Sequence, residues 1–415
     1  MPKFIADFHV HSKYSRATSE AMEVQSLAQW AKWKGIDVLA TADFTHPAYF
    51  AELKAKLRPL GNGLFVLKNG DEKVKFILTT EVSNIFTQDG KGRRIHTLIF
   101  APSFEVVERI NAKLEGYGKL ESDGRPTFGF PVKELPKMIL SISEECLLVP
   151  AHAWTPWYSI FGANSGFDSI EECFGEQSRH IYAIETGLSS DPEMNWRLSA
   201  LDNITLISNS DAHSPSRLGR EANVFDCTLD YQEIIRVIKQ KDRKKFLHTI
   251  EFYPQEGKYH YDGHRNCGVL LSPEETRKCK GFCPVCGRTL TIGVMNRIEA
   301  LADRPAGFVP TNAIPSLHLV PLQEIIAQAR GVGVQSAVVL NEYRKLIQRG
   351  GSEFSILLDL SRDELATFVP PKILTGILKV RKGDLKIVPG YDGVYGQIKI
   401  FDEKSKKPPA QMGLF

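Results

Sequence analysis

Phe4-Ile5-Ala6-Asp7-Phe8-His9-Val10-His11-Ser12 decides the reading of this chain. Its first five residues have the apolar character of a buried strand. The two histidines follow at once, two residues apart, so the strand period of two sets both rings on one face. Working outward, Met22 to Lys34 reads as a helix closed by Gly35, and Asp37-Val38-Leu39-Ala40-Thr41 reads as the next strand. Further strands are expected at Lys75–Thr79, Ile95–Ile99, Cys146–Val149, Ile181–Ile184 and Ile204–Ile207. Strands alternating with helices predict a mainly parallel α/β architecture, open or barrel-like. Functional residues in such folds gather just beyond the strand C-termini.

The polar residues at those positions are expected to form a set of metal ligands. His9 and His11 follow the first strand, Asp43 the second and Glu81 the third; His96 lies within the fourth; His152 follows the fifth, and Asp211 and His213 the last. Asp211 and His213 repeat the two-residue spacing. Hydrolysing a phosphodiester near neutral pH calls for divalent metals that lower the pKa of a water and neutralise the phosphate. Imidazoles together with a carboxylate able to bridge two ions are the ligands for that. His9, His11, Glu81, His96, His152, Asp211 and His213 are therefore the expected catalytic set, with Asp43 as a further ligand and His46 a weaker one.

The chain has 415 residues, enough for two or three domains, and a net charge of only +3. It contains no run of 18 apolar residues, so no membrane span is expected, and its first residues lack the pattern of a signal peptide; the expected location is cytoplasmic. Four of its seven cysteines fall within twenty residues. His264-x2-Cys267, fifteen residues and Cys283-x2-Cys286 match zinc-ribbon spacing, with Cys279 competing with His264 for the fourth position. Four protein ligands leave no open coordination position, so this Zn2+ site is expected to be structural.

The order Asp7-Phe8-His9-Val10-His11-Ser12, Asp43, Glu81, His96, His152, Ser210-Asp211-Ala212-His213 resembles the PHP (polymerase and histidinol phosphatase) superfamily. The resemblance covers roughly Met1 to Phe225. It implies a distorted seven-stranded β/α barrel with up to three active-site metals, Zn2+ or Mn2+, with Mg2+ as a further option. Two departures stand out. Tyr14, Ser15 and Arg16 occupy the region where the family often carries a third histidine, and Phe44 follows Asp43 where a histidine is usual. The runs Ser208 to Pro215, Leu218 to Asn223 and Pro389-Gly390-Tyr391-Asp392-Gly393-Val394-Tyr395-Gly396 extend the resemblance over nearly the whole chain, to the endonuclease Q group. That resemblance implies cleavage of DNA on the 5′ side of deaminated bases (uracil, hypoxanthine, xanthine) and abasic sites. Alternatives are a PHP phosphatase acting on a small phosphate monoester, or a non-catalytic adaptor that binds the sliding clamp.

The expected organisation is a PHP phosphoesterase domain over 1–250, a zinc-binding module over 255–295, a mainly helical DNA-binding domain over 296–400 and a tail over 401–415. Gly331-Val332-Gly333 resembles a helix-hairpin-helix turn, in which backbone N–H groups meet a phosphate. Arg93 and Arg94 stand beside His96 as candidate DNA contacts, as do Arg217 and Arg220 around the last ligand run. Trp154 and Trp157, with Asn164 and Ser165 just beyond, are the expected walls and donors of a pocket for a base taken out of the stack. The final Gln411-Met412-Gly413-Leu414-Phe415 resembles a bacterial sliding-clamp-binding peptide, with Gln411, Leu414 and Phe415 as its contacts.

Overall fold

The structure, a computed structural model, describes residues 3–401. The expected clamp peptide, with Gln411, Leu414 and Phe415, lies outside the described residues. No described helix is long and apolar enough to cross a membrane.

The chain divides into two compact units. One holds the described residues up to Leu319 and takes back Pro389–Gly396; the other is Val320–Val388 with residues 397–401. The division therefore falls beyond residue 296, and the cysteine-rich module belongs to the first unit. The cause is polar anchoring. Arg297 donates to the carbonyls of Phe161 and Phe167 and pairs with Asp168 at 2.6 Å, while Arg304 meets both oxygens of Asp202 at 2.6 Å.

Seven strands of the first unit form a ring. They are β1 (Phe4–Asp7), β2 (Val38–Ala40), β3 (Lys75–Gln88), β4 (Lys91–Ala101), β5 (Leu147–Pro150), β6 (Ala183–Glu185) and β7 (Thr205–Ile207). β1, β2 and β3 are parallel, as are β6 and β7. β5 meets β6 where the Ala153 N–H donates to the Glu185 carbonyl at 2.9 Å. Closure of β7 onto β1 uses hardly any ladder. A single bridge, Val10 to Ala212, is joined by a side-chain amide, that of Asn223 on the outer strand β8 (Ala222–Phe225). Asn223 accepts from the Ser208 N–H at 2.9 Å and donates to the carbonyls of Ser208 and Ala6 at 2.7 and 3.3 Å. This is the distorted seven-stranded barrel that the motif order implied. The interior is apolar, with Phe4, Phe8, Ile77, Phe100 and Phe225 buried; helix Tyr231–Gln240 adds Ile234, Val237 and Ile238 to the same core.

The expectation of mainly parallel strands is corrected. β3 and β4 form a long antiparallel hairpin, and β4 pairs antiparallel with β5. The reversal comes from Gln88-Asp89-Gly90-Lys91. Asp89 and Gly90 both take left-handed φ, 52° and 71°, as a two-residue hairpin loop requires. Because β3 runs on to Gln88, Glu81 lies in mid-strand rather than after a strand end.

The second unit is mainly helical: Leu322–Arg330, Ala337–Gly350, Arg362–Ala366 and Pro371–Lys382, with a two-stranded ribbon of Lys386–Val388 and Gln397–Lys399. Its buried Glu353 accepts from the Leu322 N–H and the Tyr343 hydroxyl, tying the start of one helix to the middle of the next. Ser361 and Glu364 form the expected capping box.

Candidate metal centre and adjoining cavity

Each expected ligand is delivered by a strand or the turn just beyond it. His9 and His11 leave β1, Glu81 lies in β3, and His96 sits opposite Ser83 on β4, one diagonal step from Glu81 on the same face. His152 follows β5, and Asp211 follows β7. Three of these turns place non-glycine residues at left-handed φ: Asp43 (31°), His152 (32°) and Asp211 (46°). Such conformations persist only where surroundings enforce them. The His152 N–H donates to Glu185 at 2.8 Å, and Arg220 donates to the carbonyls of Ser210 and Asp211. Gly187, itself at φ 61°, lies so near His152 that an added Cβ would fall 2.6 Å from the His152 Cβ.

Two triads meet at Glu81. His9, His11 and Asp211 form one; Glu81, His96 and His152 form the other, and the ligand atoms of each lie within 4.8 Å of one another. Glu81 Oε1 stands 2.8 Å from His96 Nδ1 and 2.9 Å from His152 Nε2. Its Oε2 faces His11 Nε2 at 3.3 Å and His9 Nε2 at 3.6 Å. One carboxylate thus presents an oxygen to each triad, the arrangement of a bridging ligand. The opposite ring nitrogens are held from behind: His9 Nδ1 by Glu185 at 3.0 Å and His11 Nδ1 by Asp43 at 3.2 Å. Protons placed there leave both Nε2 atoms as lone pairs.

The fit to a cation rests on atoms left without partners. His9 Nε2, His11 Nε2 and Asp211 Oδ1 are buried, make no hydrogen bond and converge on one point. Burial alone would push the His9 and His11 pKa values down. The surrounding carboxylates outweigh it and hold both well above the usual range, Glu185 and Glu81 at His9 and Asp211 and Asp43 at His11. The pocket carries the negative charge that divalent ions would neutralise.

Asp43, expected among the ligands, is placed behind them. Its Oδ2 accepts from the Ser12 N–H, the Ser12 hydroxyl and the Ser15 hydroxyl at 2.7, 2.6 and 2.8 Å, and its Oδ1 is on His11. In this arrangement its oxygens are engaged by hydrogen bonds, one of them to the ring of His11. His46 caps helix Pro47–Lys56 through Nδ1 and stacks on Tyr14. His213 lies beside the first triad, its ring 4.6 Å from His11 and its Nδ1 on the Asp211 carbonyl. Glu185, Asn209 and Arg125 were not anticipated. Asn209 donates to Glu185 at 2.8 Å, and Arg125 pairs with Glu81 Oε2 at 2.9 Å.

A cavity of about 540 Å3 opens from the centre, sharing His96, His152 and Asp211 with it. Arg94, Trp157, Tyr158, Tyr259 and Tyr395 furnish its other walls, and Trp157 meets Tyr259 edge to face at 5.7 Å. Trp157 is 39% exposed. The other expected pocket residues lie elsewhere. Trp154 is buried and donates to Asn195 at 2.8 Å; Ser165 is buried and accepts from the Tyr158 N–H; Asn164 is exposed. Arg93 is inside too, stacked on Phe167 at 3.9 Å and bonded to the Gly166 carbonyl, so it anchors a loop. Arg220 holds the Asp211 turn, and Arg217 lies half-buried next to it. Gly331, at φ 68°, ends helix Leu322–Arg330, and Gly333 follows in open space before Ser336 caps the next helix.

The second ligand set also assembles. His264, Cys267, Cys283 and Cys286 bring their donor atoms within 4.8 Å of one another. Gly268 and Gly287 turn at φ 65° and 71° behind the two pairs, while the Cys279 thiol points away to the Thr276 carbonyl.

Comparison with known proteins follows the same lines. A family model described as the MJ0043 C-terminal domain matches residues 321–384. The MJ0043 protein of Methanocaldococcus jannaschii is 32% identical over 261 residues; that is 61% of this chain and 32% of the relative, so the chain spans about a third of that protein's length. The crystal structure of the lesion-specific endonuclease PfuEndoQ from Pyrococcus furiosus superposes with a TM-score of 0.85 at 32% identity, covering 96% of this chain and 95% of the other. An endonuclease Q bound to a 27-mer duplex with an abasic lesion at its active site gives 0.84 at 33% identity, over 99% of this chain and all of that one. With that identity over the full length of a solved relative, the chain belongs to the endonuclease Q family.

Proposed function

We propose that the protein is a metal-dependent, lesion-specific DNA endonuclease. It nicks on the 5′ side of deaminated bases (uracil, hypoxanthine, xanthine) and of abasic sites, leaving 3′-hydroxyl and 5′-phosphate ends. One observation carries the reading: the metal centre forms the floor of a cavity large enough for a base, walled by aromatic side chains. His9, His11, Glu81, His96, His152 and Asp211 would hold the ions, with His213 at the edge. Bound divalent ions supply an activated water and neutralise the phosphate. The chain's own part is to orient the ligands through Glu185 and Asp43, and to seat the displaced nucleotide against Trp157, Tyr259 and Tyr395.

The preference for deaminated bases has support at His260, which lines the same cavity. Burial pushes its pKa down to about 4, so the ring is uncharged, and its Nδ1 has no hydrogen-bond partner. Deamination converts the ring nitrogen on the pairing edge of cytosine or adenine from an acceptor to an N–H donor. In the tautomer that leaves Nδ1 without a proton, a small shift of the ring on substrate entry would offer an uncharged acceptor to the altered base. Structural Zn2+ at His264, Cys267, Cys283 and Cys286 completes the assignment.

The test is incubation with Mn2+, Mg2+ or Zn2+ and duplexes carrying one deoxyuridine, one deoxyinosine, one abasic site or none. A single nick 5′ to the lesion, absent from the intact duplex, is expected. Phosphate release from small monoesters without nicking would overturn the reading in favour of a phosphatase. Inertness toward both with metal loaded would make the protein non-catalytic.

A further inference from the structure

The loop 123–126 is bound to the barrel from several sides. Its Gly124 N–H donates to the Tyr14 carbonyl at 3.1 Å, the Gly124 carbonyl accepts from Thr45, and the Pro126 carbonyl accepts from the Ser83 N–H at 2.9 Å. Asp123 accepts from the backbone N–H groups of both Arg16 and Arg125. Gly124 itself packs so tightly that a Cβ would lie 2.3 Å from both Asp43 Oδ2 and the Ser15 hydroxyl oxygen. All this fixes one side chain, Arg125, over the metal centre. Its Nη1 is 2.9 Å from Glu81 Oε2, the same oxygen that His9 and His11 face, and its side chain remains 26% exposed.

A fixed positive charge is a poor neighbour for two cation sites, because it repels the ions that the ligands attract. Nothing in the packing requires it either, since the loop is anchored by backbone groups and by Asp123. A guanidinium at that place gains when an anion arrives, and its planar set of N–H donors matches phosphate oxygens. The endonuclease reading supplies that anion, and the inference rests on that reading.

The geometry points to Arg125 as a phosphate-binding catalytic residue, holding a non-bridging oxygen of the scissile phosphodiester beside the metal centre and countering the charge that builds there as the bond to the leaving oxygen lengthens. On this account Glu81 lends Arg125 a resting partner. With Glu81 among the residues that would hold the ions, the guanidinium would be left for the substrate. The role also fits the local departures in sequence. Ser15 hydrogen-bonds to Asp43, and Phe44 is fully buried, so neither position supplies a ligand on this side of the cluster.

The experiment compares metal-loaded wild type with Arg125→Ala and Arg125→Lys. It has three readouts: bound metal by mass spectrometry, affinity for inorganic phosphate by calorimetry, and steady-state nicking of a lesion-bearing duplex. In Arg125→Ala, metal content should equal or exceed that of wild type and phosphate affinity should fall at least about tenfold. Turnover should fall by about 10²–10³, the loss typical of removing one preorganised donor from a developing charge. Millimolar guanidinium should restore part of that turnover where sodium chloride at equal ionic strength does not. Arg125→Lys should fall between the two. Loss of metal in parallel with activity would overturn the proposal and make Arg125 a support for Glu81. So would unchanged phosphate affinity. If wild type fails to nick any lesion, the endonuclease reading falls, and the phosphate titration still decides whether Arg125 binds the anion.

Discussion

At the residue scale, two candidate ligands are each braced from behind by a carboxylate, His9 by Glu185 and His11 by Asp43. His9, His11, Asp211 and His213 stood out as candidates through their two-residue spacing beside strand ends, and Glu81 and His96, both inside strands, through residue type and motif order. Asp43 occupies the same kind of position and has the right chemistry, yet both its oxygens are engaged by Ser12, Ser15 and His11. Glu185 was missed for the mirror reason. It closes a short apolar strand and looks like the first polar residue of a loop, while in space it braces His9 Nδ1, the His152 N–H and Asn209 at once. That threefold role makes a prediction. Glu185→Gln keeps the size but removes the charge that raises the basicity of His9. Metal affinity of the centre should fall about 10–100-fold, read by competition with a chelating dye, while the circular dichroism spectrum is retained. Unchanged affinity would show that Glu185 serves packing alone.

At the element scale, two local signals differ in how much they disclose. The Asp89-Gly90 pair carries a hairpin signal that strand-helix alternation overrode in the reading of the sequence, and it explains why the sheet is mixed rather than mainly parallel. The His264-Cys267 and Cys283-Cys286 pairs were readable as candidates, because x2 spacing with a following glycine suits both the donor positions and the turn behind them, and the structure brings their donor atoms together. Zinc bound there would contribute directly to folding of the module. Cys283→Ser should therefore lose that zinc and open residues 264–286 to limited proteolysis, leaving metal at the barrel centre in place. A variant that keeps its zinc and its protease resistance would refute the assignment. A buried acid pair offers a third test. Burial pushes the Glu251 carboxyl up to about 8, and burial with Glu251 nearby raises Glu221 well above the usual range. An exposed glutamate titrates near 4.5. Between those values the folded chain holds a proton that the unfolded chain has released. This stabilisation is complete below about pH 4.5 and disappears as pH rises through 8. Thermal stability of wild type should decline over that window, and Glu251→Gln should flatten the decline. An equally steep profile in the variant would place the pH dependence elsewhere.

At the scale of the whole molecule, the barrel was legible as a class and its closure was not. Strand-helix alternation and the motif order lead to a ring of strands with ligands at one end. They do not say how β7 returns to β1, since no ladder pattern marks that seam. The seam is held largely by side chains: Asn209 accepts from the Phe8 N–H and Asp7 from the Ser210 N–H, and beside them lies the fully buried amide of Asn223. Asn223 reaches Ser208 N–H and carbonyl, the Ala6 carbonyl and Asn209 Oδ1, and Asn209 in turn meets Glu185 behind His9. Closure and catalysis are thus joined through a short polar path: Asn223, Asn209, Glu185, His9. Removing the amide leaves several buried backbone and side-chain groups without partners, each costing about 1–3 kcal/mol. Asn223→Ala should then lower unfolding free energy by about 3 kcal/mol or more, seen as a lower urea midpoint with little change in slope. The loss should extend to the centre, with weaker metal binding even at temperatures where the variant is folded, because Asn209 no longer has a fixed place from which to orient Glu185. A destabilised variant with wild-type metal affinity would show instead that the seam and the centre are independent. The barrel would then be a scaffold whose closure matters to its stability alone.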